Sequence, residues 1–190
     1  MRRQLLRALV HSLDEESFTD VSIDRLAERA GLARSTFYLH FSDKVELLEA
    51  LAVDVIDEIV DAGEYWWSLG PGITKEDLRE GLERLADAYR SHHTVMTAVV
   101  EAASYDERIR RHFELLVTTG SKQIADHIRK GQEQGFVARE LDAETTAGWI
   151  TWMSERGLYK CVIPADAAQT ERHMQTYTNI VWNTLYEGAR

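Results

Sequence analysis

Apolar positions recur three and four residues apart along most of this chain, with charged residues filling the places between them. That spacing lines the apolar residues up on one face of a helix, and the strict alternation of a half-buried strand is hard to find. The first stripe, Leu5, Leu6, Leu9, Val10 and Leu13 with Phe18 closing it, predicts a helix over residues 2–17. Ile23, Leu26, Ala27 and Ala30 predict a second over 23–30, with Ser22 placed to cap it. A third, over 34–40, sets Phe37 and Phe41 on one side. Gly31 stands between the second and third, and glycine can take the left-handed conformation that ends a helix without a Cβ penalty.

The pattern continues beyond the third helix. Ser42 can cap a helix over 44–62, whose Val45, Leu48, Leu51, Val55, Ile56 and Ile59 run along one side. Residues 63–73 hold Tyr65-Trp66-Trp67 and Gly70-Pro71-Gly72 and read as a bend and a loop. Thr74 with Asp77 opens another helix through Ser91, a capping box with Asp in place of Glu. Further helices are expected over 94–104, over 107–134 with Gly135 as its stop, and over 143–162 and 167–187, the last two divided by Pro164. The fold class is therefore all-α.

Two short helices joined at Gly31-Leu32, the second polar on its outer face, read as a helix-turn-helix that lays its second helix in the DNA major groove. The run Thr36-Phe37-Tyr38, His40-Phe41 and Asp43-Lys44 carries a sharper signal. It resembles the TetR family of one-component transcriptional repressors, by sequence motif over about the first fifty residues and mainly by helix pattern beyond them. The resemblance implies an N-terminal three-helix helix-turn-helix domain over residues 1–47 and a helical ligand-binding and dimerisation domain over 48–190. It implies a homodimer that binds a palindromic double-stranded DNA operator, with recognition helices spaced by about 34–36 Å or a multiple. Arg34 and Ser35 are the candidates for base edges, and Tyr38, Lys44 and Thr36 for phosphates, with His40 on the same surface. Ala33 stands where many relatives have a capping serine, so the third helix is expected to lack its side-chain cap.

In the C-terminal half, Ser91-His92-His93, Glu155-Arg156 and the ending Trp182…Leu185-Tyr186-Glu187-Gly188 look similar to a mycobacterial member of that family with a long aromatic ligand channel. By helix position, Leu85, Tyr89, Phe113, Val117, Gly120, Thr151, Trp152, Ser154 and Trp182 are the candidates to line such a channel. Thr151 and Ser154 stand where that relative has asparagines, and Gly120 where it has a further tryptophan, so the ligand need not be the same. A mostly apolar pocket with a few polar groups is how small effectors are generally held. The implied effector is a hydrophobic small molecule, and ordinary core packing is the competing explanation for each of these residues. Glycines at 81, 120, 148 and 157 interrupt the helices, each costing about 1 kcal/mol relative to alanine. Such positions mark either close helix contact or space. Trp149, Ile150, Tyr177, Ile180, Val181 and Leu185 offer apolar positions on two faces of the last helix pair, one for the body and one for a partner copy.

Composition changes this picture in one respect. The net charge is −10, and residues 1–50 carry seven Lys/Arg against nine Asp/Glu. A broad basic field for nucleic acid is absent, so DNA binding has to rest on a few placed contacts. A helical ligand-binding protein whose helix-turn-helix no longer touches DNA stays open as the alternative. Cys161 is the single cysteine and sits in a helix pattern, so it is expected to be a buried thiol. With no signal peptide and no long apolar run, a cytoplasmic chain without a membrane partner is expected. Enzyme chemistry finds little support: the histidines lack metal-ligand spacing, and there is no GxSxG, phosphate loop or CxxC. No cofactor is implied. Glu101, Glu155 and Arg156 remain candidates for a buried charged cluster.

Overall fold

The computed structural model describes residues 1–189, apart from the side chains of Leu116 and Ala189. Among these residues there is no strand. The α-helices are α1 (Arg2–Leu13), α2 (Ile23–Arg29), α3 (Arg34–Tyr38), α4 (Lys44–Trp67), α5 (Lys75–Ser91), α6 (His93–Ala103), α7 (Glu107–Gln134), α8 (Ala143–Gly157) and α9 (Ala167–Leu185). Packing divides the chain into two units. Met1–Asp57 with His92–Leu115 form the first, and Glu58–Ser91 with the chain from Leu116 onward form the second, so α4 and α7 each contribute to both. Among the described residues no helix is long and apolar enough to cross a membrane.

In the first unit α1 packs on α2 and α6, and α2 on α3. Its core includes Leu5, Leu9, Phe18, Leu26, Phe37, Leu47, Leu48, Val99 and Ile109. The buried face of α1 is Leu5, Ala8, Leu9 and Ser12, while Leu6, Val10 and Leu13 are only partly covered. The helix ends at Leu13, short of the expected residue 17. Asp14 and Glu15 there are exposed, and the amides of Glu15 and Glu16 close a last turn on the Ser12 carbonyl. Ser22 caps α2, accepting from the Arg25 amide at 3.3 Å. Gly31, at φ +67°, makes the turn into α3. The expected cap of α4 moves by one residue. Asp43, not Ser42, accepts from the Glu46 amide at 2.8 Å, and the Glu46 carboxylate reaches back to the Ser42 amide at 2.6 Å.

In the second unit α5 packs against α9, and a π-turn at Leu158–Val162 that prolongs α8 packs against both. The Thr74–Asp77 box is present, the Thr74 hydroxyl accepting from the Asp77 amide and the Asp77 carboxylate from the Thr74 amide. The bend expected at residue 63 is replaced by five more residues of helix. Gly63 is not a breaker here: a Cβ on it would sit 1.8 Å from the indole of Trp67, one turn on, so glycine makes room for that ring. Trp66, buried on the other face, donates its Nε1–H to the Tyr186 hydroxyl at 3.0 Å. Cys161 is exposed, against expectation. The wider π-turn keeps Leu158 and Val162 on the buried side while swinging the residue before Val162 out toward water.

Candidate DNA-reading face and ligand cavity

The reading face begins with one buried ring. Phe37 is fully buried in the middle of the five-residue α3, with Tyr38 edge-on to it at 5.5 Å and Phe41 at 5.9 Å between ring centres. A helix this short cannot hold itself together in water, so this anchor and the Gly31 turn fix its direction. Ala33 provides no side-chain cap, as its residue type implied. With Phe37 turned inward, Arg34, Ser35, Tyr38 and His40 are exposed and Thr36 is partly so.

Arg34 is engaged, but loosely. Its Nη1 lies 2.7 and 2.6 Å from the two carboxylate oxygens of Asp24, its Nη2 lies 3.4 Å from the Tyr38 hydroxyl, and its guanidinium stands over the Tyr38 ring. Both members of the ion pair are well over half exposed. Water screens such an exposed pair, so Arg34 can exchange Asp24 for another partner at little cost.

Lys44 is placed differently from its neighbours. Its ammonium donates to the carbonyls of Phe18, Thr19 and Val21, each at 2.8 Å, and lies over the Phe18 ring. Burial holds its pKa below the ordinary lysine value, with Glu101, Asp20 and Glu16 opposing. All three of its N–H donors are used inside the unit. The phosphate role expected of Lys44 therefore does not go forward; it ties the α1–α2 turn to the start of α4. Glu101 on α6 holds the other side of the same turn, accepting from the amides of Phe18 and Thr19 at 3.1 and 3.0 Å and from the Thr19 hydroxyl.

The second unit holds a partly open, mostly apolar cavity of about 40 Å³. Six of the nine expected residues line it: Leu85 and Tyr89 on α5, Val117 and Gly120 on α7, Thr151 and Ser154 on α8. Ile59, Val60 and Trp67 on α4, Ile124 on α7 and Glu155 on α8 complete the wall. A Cβ built on Gly120 would meet only Thr151 Cγ2, at 3.8 Å, so this glycine borders space. Gly81 is the opposite case, where a Cβ would come within 2.8 Å of Trp66 Cβ. A void of this size holds a few waters at most, against about 300 Å³ or more for a typical ligand pocket.

The polar groups on the wall are unevenly satisfied. The Thr151 hydroxyl donates to the Ala147 carbonyl at 2.8 Å, and Ser154 is hydrogen-bonded to the Ile150 carbonyl at 2.6 Å and to the Tyr177 hydroxyl. Glu155 is 2% exposed, and its Oε2 has no hydrogen-bond partner among the described residues. Arg156 Nε is 3.1 Å from that oxygen, but the guanidinium is half in water. Burial raises the Glu155 pKa above the usual carboxylate value, with Arg156 pulling it back. The indole N–H of Trp67 is likewise buried without a hydrogen-bond partner among the described residues.

Two family profiles cover most of this architecture. Residues 5–51 match "Bacterial regulatory proteins, tetR family", and residues 78–187 match "Transcriptional regulator EthR, C-terminal domain". The chain belongs to the TetR family, with an EthR-type C-terminal domain. It is thus a DNA-binding transcriptional regulator and not an enzyme. The HTH-type transcriptional regulator EthR of Mycolicibacterium smegmatis is 24% identical over 92% of this chain and 81% of its own length. That of Mycobacterium tuberculosis is 25% identical over 96% and 85%. A TetR transcription regulator from Haloarcula marismortui has the same fold, with a TM-score of 0.77 at 19% identity, covering 97% of each chain.

Within this TetR-family frame, three expected channel residues lie elsewhere. Phe113 belongs to the first unit. Trp152 is 44% exposed on the outer side of α8, beside Trp149 at 77%. Trp182 packs its ring on Tyr186, 5.2 Å away. Of the expected charged cluster, Glu155 and Arg156 are paired in the second unit, and Glu101 belongs to the first. Sequence reasoning missed five wall residues: Ile59, Val60 and Trp67 on α4, the last of which it assigned to a loop, Ile124 on α7 and Glu155 on α8. It also missed Leu39, 81% exposed between Tyr38 and His40 on the reading face. An apolar side chain left bare among polar ones was the available signal.

Proposed function

We propose that this regulator is a homodimeric repressor that leaves a palindromic operator when a hydrophobic small molecule enters the cavity of the second unit. The observation that carries the DNA half is the exposed row Arg34, Ser35, Tyr38 and His40 on a helix anchored by buried Phe37. Arg34 and Ser35 read base edges, Arg bidentate to guanine being the commonest specific pairing, while Tyr38 and Thr36 hold phosphates. Leu39 adds an apolar contact of the kind that suits a thymine methyl. A protein with this task works in the cytoplasm, where the chromosome is.

The dimer is formed by the outward side of α8 and α9. Trp149, Trp152 and Ile180 support this, being large apolar side chains left 77%, 44% and 45% exposed next to one another around one groove. Tyr177, Ile150, Val181 and Leu185 are buried within the unit and serve its own core. The reading by which the cavity controls DNA rests on α4 and α7, the two helices shared by both units. Ligand releases DNA only through the difference in its affinity for the bound and released forms.

A gel shift on the intergenic DNA upstream of the chain's own gene tests the first half. Specific retention is expected, and Arg34→Ala should relax discrimination at one base pair by about 1–3 kcal/mol. No retention of any upstream fragment would favour the alternative of a helix-turn-helix that has lost its DNA. For the second half, sedimentation of the wild type should give a dimer and Ile180→Asp a monomer.

A further inference from the structure

The reading of the cavity as an effector site leaves open what the effector carries, and the wall bears on that. We infer that the cavity is built for a molecule with an apolar body and a protonated amine, whose N–H groups meet the Glu155 carboxylate. This rests on the cavity being the effector site, and deepens that reading.

Glu155 is 2% exposed and sits on the wall of an otherwise apolar void. A carboxylate placed so deeply costs several kcal/mol unless it is paired and hydrogen-bonded. Yet its Oε2 receives no hydrogen bond among the described residues. Arg156 covers part of the deficit from 3.1 Å, but it stands half in water and leaves the oxygen without an aligned donor. The hydroxyls closest in sequence do not help, since those of Thr151 and Ser154 are engaged with helix carbonyls. The Trp67 indole N–H on the same wall makes no hydrogen bond to it either, so Glu155 Oε2 lacks a donor, and that donor is best supplied as a cation. Trp67 and Tyr89 on the same wall present aromatic rings, whose faces attract an ammonium group. A ligand carboxylate meets the opposite situation, with a buried negative charge facing it. A neutral alcohol can donate one hydrogen bond but forfeits the charge.

Three probes with one body and different heads separate these cases: 4-phenylbutylammonium, 4-phenylbutanol and 4-phenylbutyrate. Binding to the full chain at pH 7 is measured by calorimetry and by the shift in melting temperature. The ammonium is expected to bind about tenfold or more tighter than the alcohol, from the extra strength of a charged hydrogen bond, and the carboxylate weakest of all. Glu155→Gln, close in shape, should bring ammonium and alcohol to within about twofold of each other. Gly120→Leu, which fills the void, should weaken all three. The wild-type ranking alone already decides, so the inference does not depend on the variants folding. If the three probes bind alike and Gly120→Leu removes them all, the effector site stands and the amine assignment falls. An ammonium preference that survives in Glu155→Gln also overturns it. If none of the probes binds, the inference and the reading of the cavity as an effector site fail together.

Discussion

Two charged sites, one in each unit, are finished in different ways. In the first, Lys44 and Glu101 run under the α1–α2 turn and end on main-chain partners, three carbonyls for the ammonium and two amides plus a hydroxyl for the carboxylate. In the second, Glu155 goes deeper still and lines a void, its Oε2 within 3.1 Å of the half-exposed Arg156 but without a hydrogen bond among the described residues. Completed pairing at Lys44 and Glu101 stiffens the α1–α2 turn, while Glu16 Oε1 in the same unit is buried without a hydrogen bond among the described residues. Incomplete pairing beside empty space costs stability and leaves the unit with something to gain from a ligand.

The largest expected effect comes from removing the completed side of that contrast. Lys44→Met should lower stability by about 2–3 kcal/mol, since one cation serves three carbonyls, and the loss is read as a drop in the denaturation midpoint. If Lys44→Met left the midpoint unchanged and instead flattened the salt dependence of DNA binding, the ammonium would be a phosphate contact after all.

A smaller effect concerns His127 in the second unit, 2% exposed, with Nδ1 3.1 Å from the Trp67 carbonyl and Nε2 2.8 Å from the Tyr186 hydroxyl. Tyr186 already accepts from Trp66, so its own proton goes to Nε2, which leaves Nδ1 as the donor and the ring neutral. Burial lowers the His127 pKa below 6.5, so the unfolded chain takes up the proton first as pH falls. The stability contributed by the neutral ring is complete above pH 6.5 and declines as pH falls toward the folded pKa, by up to about 1.4 kcal/mol per pH unit. Melting from pH 8 to 5 should show that slope, and His127→Gln should flatten it.

The smallest effect sharpens the contrast from the side of the void. Gly120→Ala should raise stability by about 1 kcal/mol, because alanine is the better helix former and the added methyl meets only Thr151, at 3.8 Å. The same exchange at Gly81 should destabilise, since its methyl would run into Trp66. A melting series on the two variants distinguishes space from contact. Gly120→Trp is expected to overpack a void of this size and lower the melting temperature, so it is a poor imitation of a bound ligand.

Much of the reading face was legible in the residues. Gly31 needs a positive φ, Ser22 announces the start of α2, and Phe37 with Phe41 fixes which side of α3 faces inward, just as the Thr74–Asp77 pair announces α5 in the second unit. These are local rules, decided within four residues of chain. The wall of the cavity was half legible, because helical spacing says which positions share a face but not which face meets a neighbour. Trp152 shows the limit: its spacing suited a pocket, and the packing turned it outward.

The sequence alone determined the all-helical class, the helix-turn-helix and most helix starts, since backbone geometry and capping depend on near neighbours. Only the tertiary structure decided that Lys44 holds carbonyls, that Cys161 faces water, and that Glu155 reaches a void without a hydrogen bond to its Oε2. Each of these depends on atoms brought close from distant parts of the chain or on a local change of helix register, and neither composition nor periodicity carries that information.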